Sequence, residues 1–543
     1  MNAVLTACPE KLKLAPASPA VERGTVGGVN ILMSNDNRAL PCGLLRHRLL
    51  LAVVFTVAVI TGVKLFCAAR LELLPEEAYY WTYSRHPALS YFDHPPMVAW
   101  VIELGTAGFG HTEFGVRVVT ILLSLGASLL LYFTGRLWFD QRAALWAVLL
   151  FNFVPVFVGT SFLATPDGPL LFFWLATLYA LTMALRTRHA VYWVTAGLMF
   201  GGALLSKYYA LLLAPSLLLF LLLTPAHRFW LRRPQPWIAL ALALLVFSMV
   251  IFWNAQHQWA SFLFQSTRTA IMSRHQLVDV GSFWLTQVII LTPLVFGLFV
   301  LTVVRGLRQA WRQRDERWIF ALCFSLPLFL IFAAASLRTG IHINWTAPAF
   351  LSLAVPAASV FIEGVDSARR KVAVAWRVGG AITIVFCVLA ILVVLGNFLW
   401  NGATVFAYSR AGGWHELATE VDIAADKLAK KTGQQPFVIG ADKYAIAAEL
   451  GFYLDTPAEE CVNVFALGER GLGYRYWTDL NELRGRPAVA VLTRIAKGGQ
   501  EDDSLTAVRQ HFDRIDEPQR IQVPTIGRHW RILYLVNCYG YRG

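Results

Sequence analysis

LLLAVVFTVAVITGVKLFCAARLELLPEEAYYW, residues 49–81, decides how this chain is read. Residues 49–68 form an apolar run long enough to cross a bilayer, since a spanning helix needs about 17–25 such residues. Directly beyond it, Pro75 opens a segment with Glu76, Glu77 and the aromatic row Tyr79-Tyr80-Trp81. His86 follows, and YFDHPP at 91–96 adds Asp93 and His94 to the same loop. A charge at a membrane boundary is costly unless it is wet, paired or used. Carboxylates there, beside rings that can hold a sugar or a lipid headgroup, point to acid–base chemistry on a membrane substrate.

Composition agrees with the membrane. Of 543 residues, 57% are hydrophobic and 15% charged, with a mean hydropathy of +0.53. Soluble domains are about 45–50% apolar and about 25% charged. Nineteen tryptophans suit a surface that meets lipid headgroups. The net charge of +13 is spread in short arginine clusters between apolar spans, not gathered into a nucleic-acid-binding patch.

Apolar stretches at 49–68, 115–135, 143–162, 167–185, 191–206, 208–224, 236–253, 283–304, 318–336, 346–363 and 376–399 predict about eleven spans. Basic residues concentrate in cytoplasmic loops. Arg46 and Arg48 therefore put the N-terminus inside. Arg136 and Arg142, Arg186 and Arg188, Arg228 to Arg233, Arg305 to Arg317 and Arg369 to Lys371 mark alternate loops. That parity predicts a C-terminus outside. It also sets Glu76 and Asp93, the TPDG turn around Asp167, Lys207, the 255–282 loop (His257, Arg268, Arg274) and RTGIHINW at 338–345 on one outer face. Five polar clusters far apart in sequence then make one site.

Three regions are expected. Residues 1–45, rich in Pro, Gly, Asn and Ser, read as a disordered tail without a signal-peptide layout, and either Met1 or Met33 can serve as the start. Residues 46–405 form the transmembrane domain. Residues 406–543 read as a small α/β domain. Helical spacing at 413–431 and 444–454 alternates with strand-like PFVIG (436–440), RPAVAVLTR (486–494) and WRILYLVNC (530–538). Of seven cysteines, Cys461 and Cys538 share this outer domain and form a disulfide if their backbones lie within about 4.4–6.8 Å. No CxxC or HExxH spacing suggests zinc, and no Gly-rich phosphate or dinucleotide loop is present.

Each candidate residue also has a plainer reading. Pro75-Glu76-Glu77 is the favoured order at a helix start, where acids complement the macrodipole. Asp167 in ATPDGPLLFFW caps the following helix as readily as it serves a site. Lys207, between two apolar segments, snorkels by default. On the outer face it runs against the charge bias, which favours an anionic partner such as a phosphate. Arg338, His342 and Asn344 form a similar group.

LPEEAYYW, LSYFDHPPM (89–97), TPDGPLLFFW (165–174), LLSKYYALLLAPSLLL (204–219) and HINWTAPAFLSLA (342–354) resemble, in order, the motifs of bacterial glycosyltransferase family 39-type membrane enzymes. The likeness extends to lipopolysaccharide galacturonosyltransferases, the aminoarabinose transferase of lipid A and the protein O-mannosyltransferases, over residues 45 to 400. The GGWHEL tail is similar to their periplasmic tails. The resemblance implies a GT-C fold in the bacterial inner membrane, a polyprenyl-phosphate-linked sugar donor, and an acid in the first outer loop acting on the acceptor. Metal dependence varies in that family, so a divalent metal stays open, with no ligand set in this sequence. The family's first loop acid is usually aspartate. Here it is Glu76, one methylene longer, which leaves Glu76 and Glu77 both open as the base.

The chemistry fits these residues on its own terms. Moving a sugar from a lipid phosphate to an acceptor hydroxyl needs a base and cations for the departing phosphate. Glu76, Glu77 and Asp167 are the candidate catalytic acids. Tyr79, Tyr80, Asp93, His94, Lys207, Arg338, His342 and Asn344 are candidates for binding donor and acceptor. Direct displacement inverts the anomeric centre. The expected acceptor is a lipid or lipopolysaccharide, lipid A or core, on the periplasmic face. A protein O-glycosyltransferase and a transporter or flippase are the alternatives. A transporter predicts midplane sites and internal repeats, and the sequence has neither feature.

Overall fold

The computed structural model describes residues 42–270, 276–400, 412–441, 444–454, 461–463, 472–497, 500–525 and 529–543. The chain divides into two compact units, Met1–Leu45 and Arg46–Gly543; the helix Cys42–Ala68 begins in the first, and every later element belongs to the second. Of the tail expected over 1–45, residues 1–41 lie outside the described residues, as does the expected boundary at 405.

The apolar part begins with α1 (Cys42–Ala68). Two shorter helices, α2 (Pro75–Arg85) and α3 (Met97–Phe109), occupy the loop beyond it. Then come α4 (Glu113–Trp138), α5 (Gln141–Phe153), α6 (Pro155–Thr160), α7 (Asp167–Thr187) and α8 (Ala190–Ser206). A 3-10 turn at Tyr208–Leu212 leads into α9 (Leu213–Leu223). The part closes with α10 (Pro234–Gln256), α11 (Ala260–Ala270), α12 (Gln276–Leu291), α13 (Pro293–Gln313), α14 (Glu316–Cys323), α15 (Leu326–Ala335), α16 (Ala347–Val365) and α17 (Arg370–Trp400).

Among the described residues, eight helical stretches are long and apolar enough to cross a membrane, with four shorter apolar helices beside them. The expected eleven is not reproduced as a count of long helices: 143–162 is broken at Pro155, and 191–206 and 208–224 fall on helices shorter than a span. Pro155 ends α5, with Val154 extended at φ −69°, ψ 128°, because the residue before a proline is pushed out of the helical region. The stretch 283–304 is likewise cut at Pro293 into α12 and α13. Large apolar side chains such as Phe55, Leu245, Leu285 and Phe386 remain exposed, as lipid-facing groups do. Inside, Trp138, Trp174, Trp193, Phe220 and Phe320 share one apolar cluster, and Phe151, Phe157, Phe299 and Phe350 another.

The C-terminal part is an α/β domain: α18 (Trp414–Thr432), β1 (Phe437–Ala441), α19 (Ala445–Tyr453), β2 (Cys461–Asn463), β3 (Ala488–Leu492), β4 (Ala496–Lys497), β5 (Gln500–Glu501), α20 (Asp503–His511), β6 (Phe512–Ile515), β7 (Gln519–Thr525) and β8 (His529–Tyr541). The main sheet runs β2-β1-β3-β8-β6, and β7 also pairs with β8. Strands β1, β2 and β3 pair in parallel, and β8 runs antiparallel to β3. All five residues of β1 and of β3 are buried, as expected for strands covered on both faces.

The sheet corrects the disulfide expectation. Cys461 on β2 and Cys538 on β8 are separated by β1 and β3. Three steps at about 4.8 Å each place their backbones far beyond the reach of a disulfide. Their side chains also enter different cores on opposite faces. Both are buried, and burial pushes the Cys538 thiol up.

Candidate active site

Helix α2 is fixed at its start. Pro75 opens it, and Glu77 reaches back to accept from the Leu74 N–H at 3.1 Å, as an acid at the third helical position does. Glu77 also accepts from Arg117 Nε at 2.8 Å, Arg117 Nη2 at 2.6 Å and the Ala164 N–H at 3.0 Å. The rest of the Arg117 guanidinium donates to the carbonyls of Leu71 (2.5 Å) and Glu72 (2.8 Å). Both side chains are buried. One carboxylate thus ties α2, α4 and the turn before α7 together.

Glu76, one residue earlier, points elsewhere. It is half-buried, and the Tyr444 hydroxyl from the C-terminal domain donates to its Oε1 at 3.2 Å. Tyr79 and Tyr83 both donate to Asp93 Oδ1, the former at 3.2 Å. The Tyr80 ring meets the His94 ring edge-on at 5.6 Å between centroids. Burial, then the neighbouring Asp93, Tyr444, Asp167 and Glu76, hold the Tyr80 phenol well above its usual range. Three acids from two separate stretches of sequence therefore act on one hydroxyl. Tyr79 is raised in the same way, by burial and then Asp93.

Asp167 opens α7 and is buried. Gly168 lets that helix start press against α4: a Cβ there would meet the Thr120 methyl at 2.6 Å. Lys207 sits in the extended break between α8 and the following turn, at φ −152°, ψ 142°. Its ammonium donates to both Asp167 oxygens at 2.8 Å, and the Asn344 amide donates to Asp167 Oδ2. The Lys207 charge also lies 5.5 Å from the centre of the Tyr209 ring.

The structure thus gathers Glu76, Tyr79, Tyr80, Asp93, His94 and Asp167, with Lys207 and Asn344 held on Asp167. Arg338 is exposed in the turn after α15, and His342, also exposed, stacks on Trp345 at 5.3 Å. His257 stacks on Trp253 at 3.9 Å. Arg274 and the Arg268 side chain lie outside the described residues. Arg117 was missed in the sequence, although an arginine inside an apolar span is a signal in itself. Tyr444 and Gly473, whose N–H donates to the Tyr79 hydroxyl at 3.1 Å, were also missed, because nothing local ties the tail to the first loop. Among the described residues no three His, Cys, Asp or Glu side chains come together as a metal set.

Residues 93–253 match the family model of dolichyl-phosphate-mannose-protein mannosyltransferases. The chain is 27% identical over 287 residues to the lipid A galacturonosyltransferase RgtD of Rhizobium johnstonii, covering 52% of this chain and 59% of that protein. It is also 27% identical over 326 residues to the undecaprenyl phosphate-alpha-4-amino-4-deoxy-L-arabinose arabinosyl transferase of Pseudomonas aeruginosa, covering 57% of each. The match thus spans less than two thirds of these relatives. The crystal structure of ArnT from Cupriavidus metallidurans in the apo state aligns with a TM-score of 0.61 at 17% identity, over 89% of this chain and 97% of that one. Its form bound to undecaprenyl phosphate aligns at 0.60, over 90% and 97%. The chain is therefore a multi-pass membrane protein with the fold of ArnT, and its residues 93–253 match the model of the dolichyl-phosphate-mannose-protein mannosyltransferases.

Proposed function

We propose that this protein transfers a sugar, with inversion, from a polyprenyl-phosphate donor to a lipid A or lipopolysaccharide acceptor on the periplasmic face of the inner membrane. The observation that carries the reading is the division of labour between adjacent acids. Glu77 is consumed by Arg117 and two backbone N–H groups, whereas Glu76 accepts from the Tyr444 hydroxyl and, with Asp93 and Asp167, acts on the Tyr80 phenol. Glu76 is then the base. The acceptor oxygen attacks the anomeric carbon and its proton passes to the Glu76 carboxylate. The bond from that carbon to the phosphate oxygen breaks, and polyprenyl phosphate departs. An acceptor that is already an anion, such as a sugar phosphate, needs no strong base.

Lys207 would meet the departing phosphate. An ammonium has three donors, and two are taken by Asp167. Asp167, itself held by Asn344, keeps that cation in place; Tyr79, Tyr80, Asp93 and His94 would bind donor and acceptor. Arg338 and His342 stand by as further cations for donor or acceptor. The named relatives support the donor class: one is called an undecaprenyl phosphate aminoarabinose transferase, and the ArnT structure holds undecaprenyl phosphate. The matched family model also keeps a protein acceptor in view.

The test is transfer by the purified full chain in detergent, with polyprenyl-phosphate donors bearing galacturonic acid, aminoarabinose or mannose. Lipid A and a serine/threonine peptide serve as acceptors. Transfer to lipid A, lost in Glu76→Gln, is the expected result. Transfer to peptide alone moves the acceptor class, and no transfer from any donor overturns the reading.

A further inference from the structure

A cavity of about 440 Å³ lies beside the proposed site. That volume is within the about 300–1,000 Å³ typical of small-molecule sites. Its walls come from three distant stretches: Arg85 and His86 at the end of α2, Trp253 and His257 at the end of α10, and Tyr476 and Trp477 of the C-terminal domain. His86 and Trp477 stack with their planes parallel at 5.0 Å, and Trp253 and His257 stack at 3.9 Å. Tyr476 stands edge-on to both Trp253 (5.7 Å) and His257 (5.4 Å).

Two stacked pairs and a tyrosine give flat apolar faces edged with hydrogen-bonding nitrogen and oxygen. A pyranose ring has the matching surface: axial C–H groups on its faces and hydroxyls around its rim. A hydrocarbon chain would leave the polar edges unpaired and lose their hydrogen bonds to water. The wall is also cationic. Arg85 is exposed, is in no ion pair among the described residues, and lies 3.2 Å from His111 Nε2. A guanidinium presents a planar fork suited to phosphate or carboxylate.

The cavity is joined to the reaction space by a short polar path. The Gly473 N–H in its wall donates to the Tyr79 hydroxyl, which donates to Asp93. Trp477 packs on Tyr79 at 5.9 Å and on Tyr83 at 5.4 Å. Wall residues Trp477 and Gly473 thus touch the tyrosines that donate to Asp93. We propose that this cavity is a saccharide subsite that holds the anionic carbohydrate headgroup of the acceptor. The proposal rests on the transferase reading and adds where the acceptor sits and what its headgroup must carry.

The full chain in detergent is titrated by calorimetry with a phosphorylated glucosamine disaccharide, the same disaccharide without phosphate, and inorganic phosphate. The phosphorylated disaccharide is expected to bind more tightly than either alternative. Arg85→Gln should weaken it about tenfold, the loss of one charged hydrogen bond, and leave the unphosphorylated disaccharide unchanged. Tyr476→Ala should weaken both disaccharides. Arg85 and Tyr476 lie at the surface or half-buried, and an unchanged melting temperature confirms that each variant is folded. Binding of the phosphorylated disaccharide at wild-type strength in both variants overturns the subsite. So does inorganic phosphate binding as tightly as the disaccharide. Glu76→Gln separates the two readings, since it should abolish transfer without altering this binding. Disaccharide binding that is sensitive to Arg85 and Tyr476, in a protein that transfers nothing, would keep the subsite and remove the transferase.

Discussion

Arg117 grips Glu77 with both prongs of its guanidinium, at 2.8 and 2.6 Å, across an interval of forty residues and with both side chains buried. The pair decides the entry of the chain into the site. It fixes α2 to α4, while Glu76, one residue earlier, accepts from Tyr444 instead.

Removing one partner of such a pair leaves a bare charge out of water, which costs about 3–5 kcal/mol. Arg117→Met should therefore lower the melting temperature sharply and reduce folded yield in membranes. Arg117→Met with Glu77→Gln should recover much of that loss, because no charge is then stranded. Size-exclusion profiles and thermal unfolding of the single and double variants check this. Equal stability of Arg117→Met and wild type would remove the structural role.

The two neighbouring acids should separate by what they damage. Glu76→Gln keeps size and loses basicity, so turnover should fall about 10²–10⁴-fold at unchanged melting temperature. Glu77→Gln breaks the ion pair, so its first effect should be on stability, with any loss of rate following the loss of folded protein. The measurement is turnover per folded molecule for each variant. A rate loss per folded molecule in Glu77→Gln larger than in Glu76→Gln would move the base by one residue.

Much of this was legible in the sequence, and the rest was hidden for physical reasons. Hydrophobic runs and loop motifs mark the membrane fold because spanning helices must be apolar and functional charge there is rare. Both α18 and β8 stand out by their periods of 3.6 and 2. The broken spans at Pro155 and Pro293 were blurred because apolar content continues across each break. Asp167, Lys207 and Asn344 could be named singly, yet that they share one hydrogen-bonded group is a tertiary fact. The choice between Glu76 and Glu77 depends on Arg117, whose direction no local pattern gives.

Glu449 on α19 is buried, and neither carboxyl oxygen has a hydrogen-bond partner among the described residues. Burial, then the charges of Glu72 and Glu77, push its carboxyl well above the usual range. A carboxyl whose folded value is raised favours the native state fully below its unfolded value. That contribution is lost as pH climbs toward the folded value. Its contribution to wild-type stability should therefore decline as pH rises above 4.5, the ordinary value of such a carboxyl. Glu449→Gln, neutral at every pH, should flatten this slope and unfold at a higher temperature than wild type at neutral pH. Identical slopes in thermal unfolding across that range would show that Glu449 is not the group responsible.

Asp167 and Lys207 make the last test, because each has a plain structural role as well as the proposed one. If Lys207 only neutralises Asp167, replacing both should restore what replacing either destroys: Asp167→Asn with Lys207→Met strands no charge, so stability and activity return together. If Lys207 meets the donor phosphate, the double variant should regain stability but not activity. A charged hydrogen bond contributes roughly 1.5–3 kcal/mol, so its loss should raise the donor KM by about tenfold or more. The phosphate contact acts in both ground and transition states; kcat should fall as well to the extent that charge grows on the leaving oxygen. Asp167→Asn alone should keep much of the donor affinity while lowering turnover, since Asn344 and Lys207 lose the acceptor that aligns them. Donor titrations and melting curves on the three variants separate these outcomes, and wild-type donor KM in the stable double variant would exclude Lys207 as a phosphate contact.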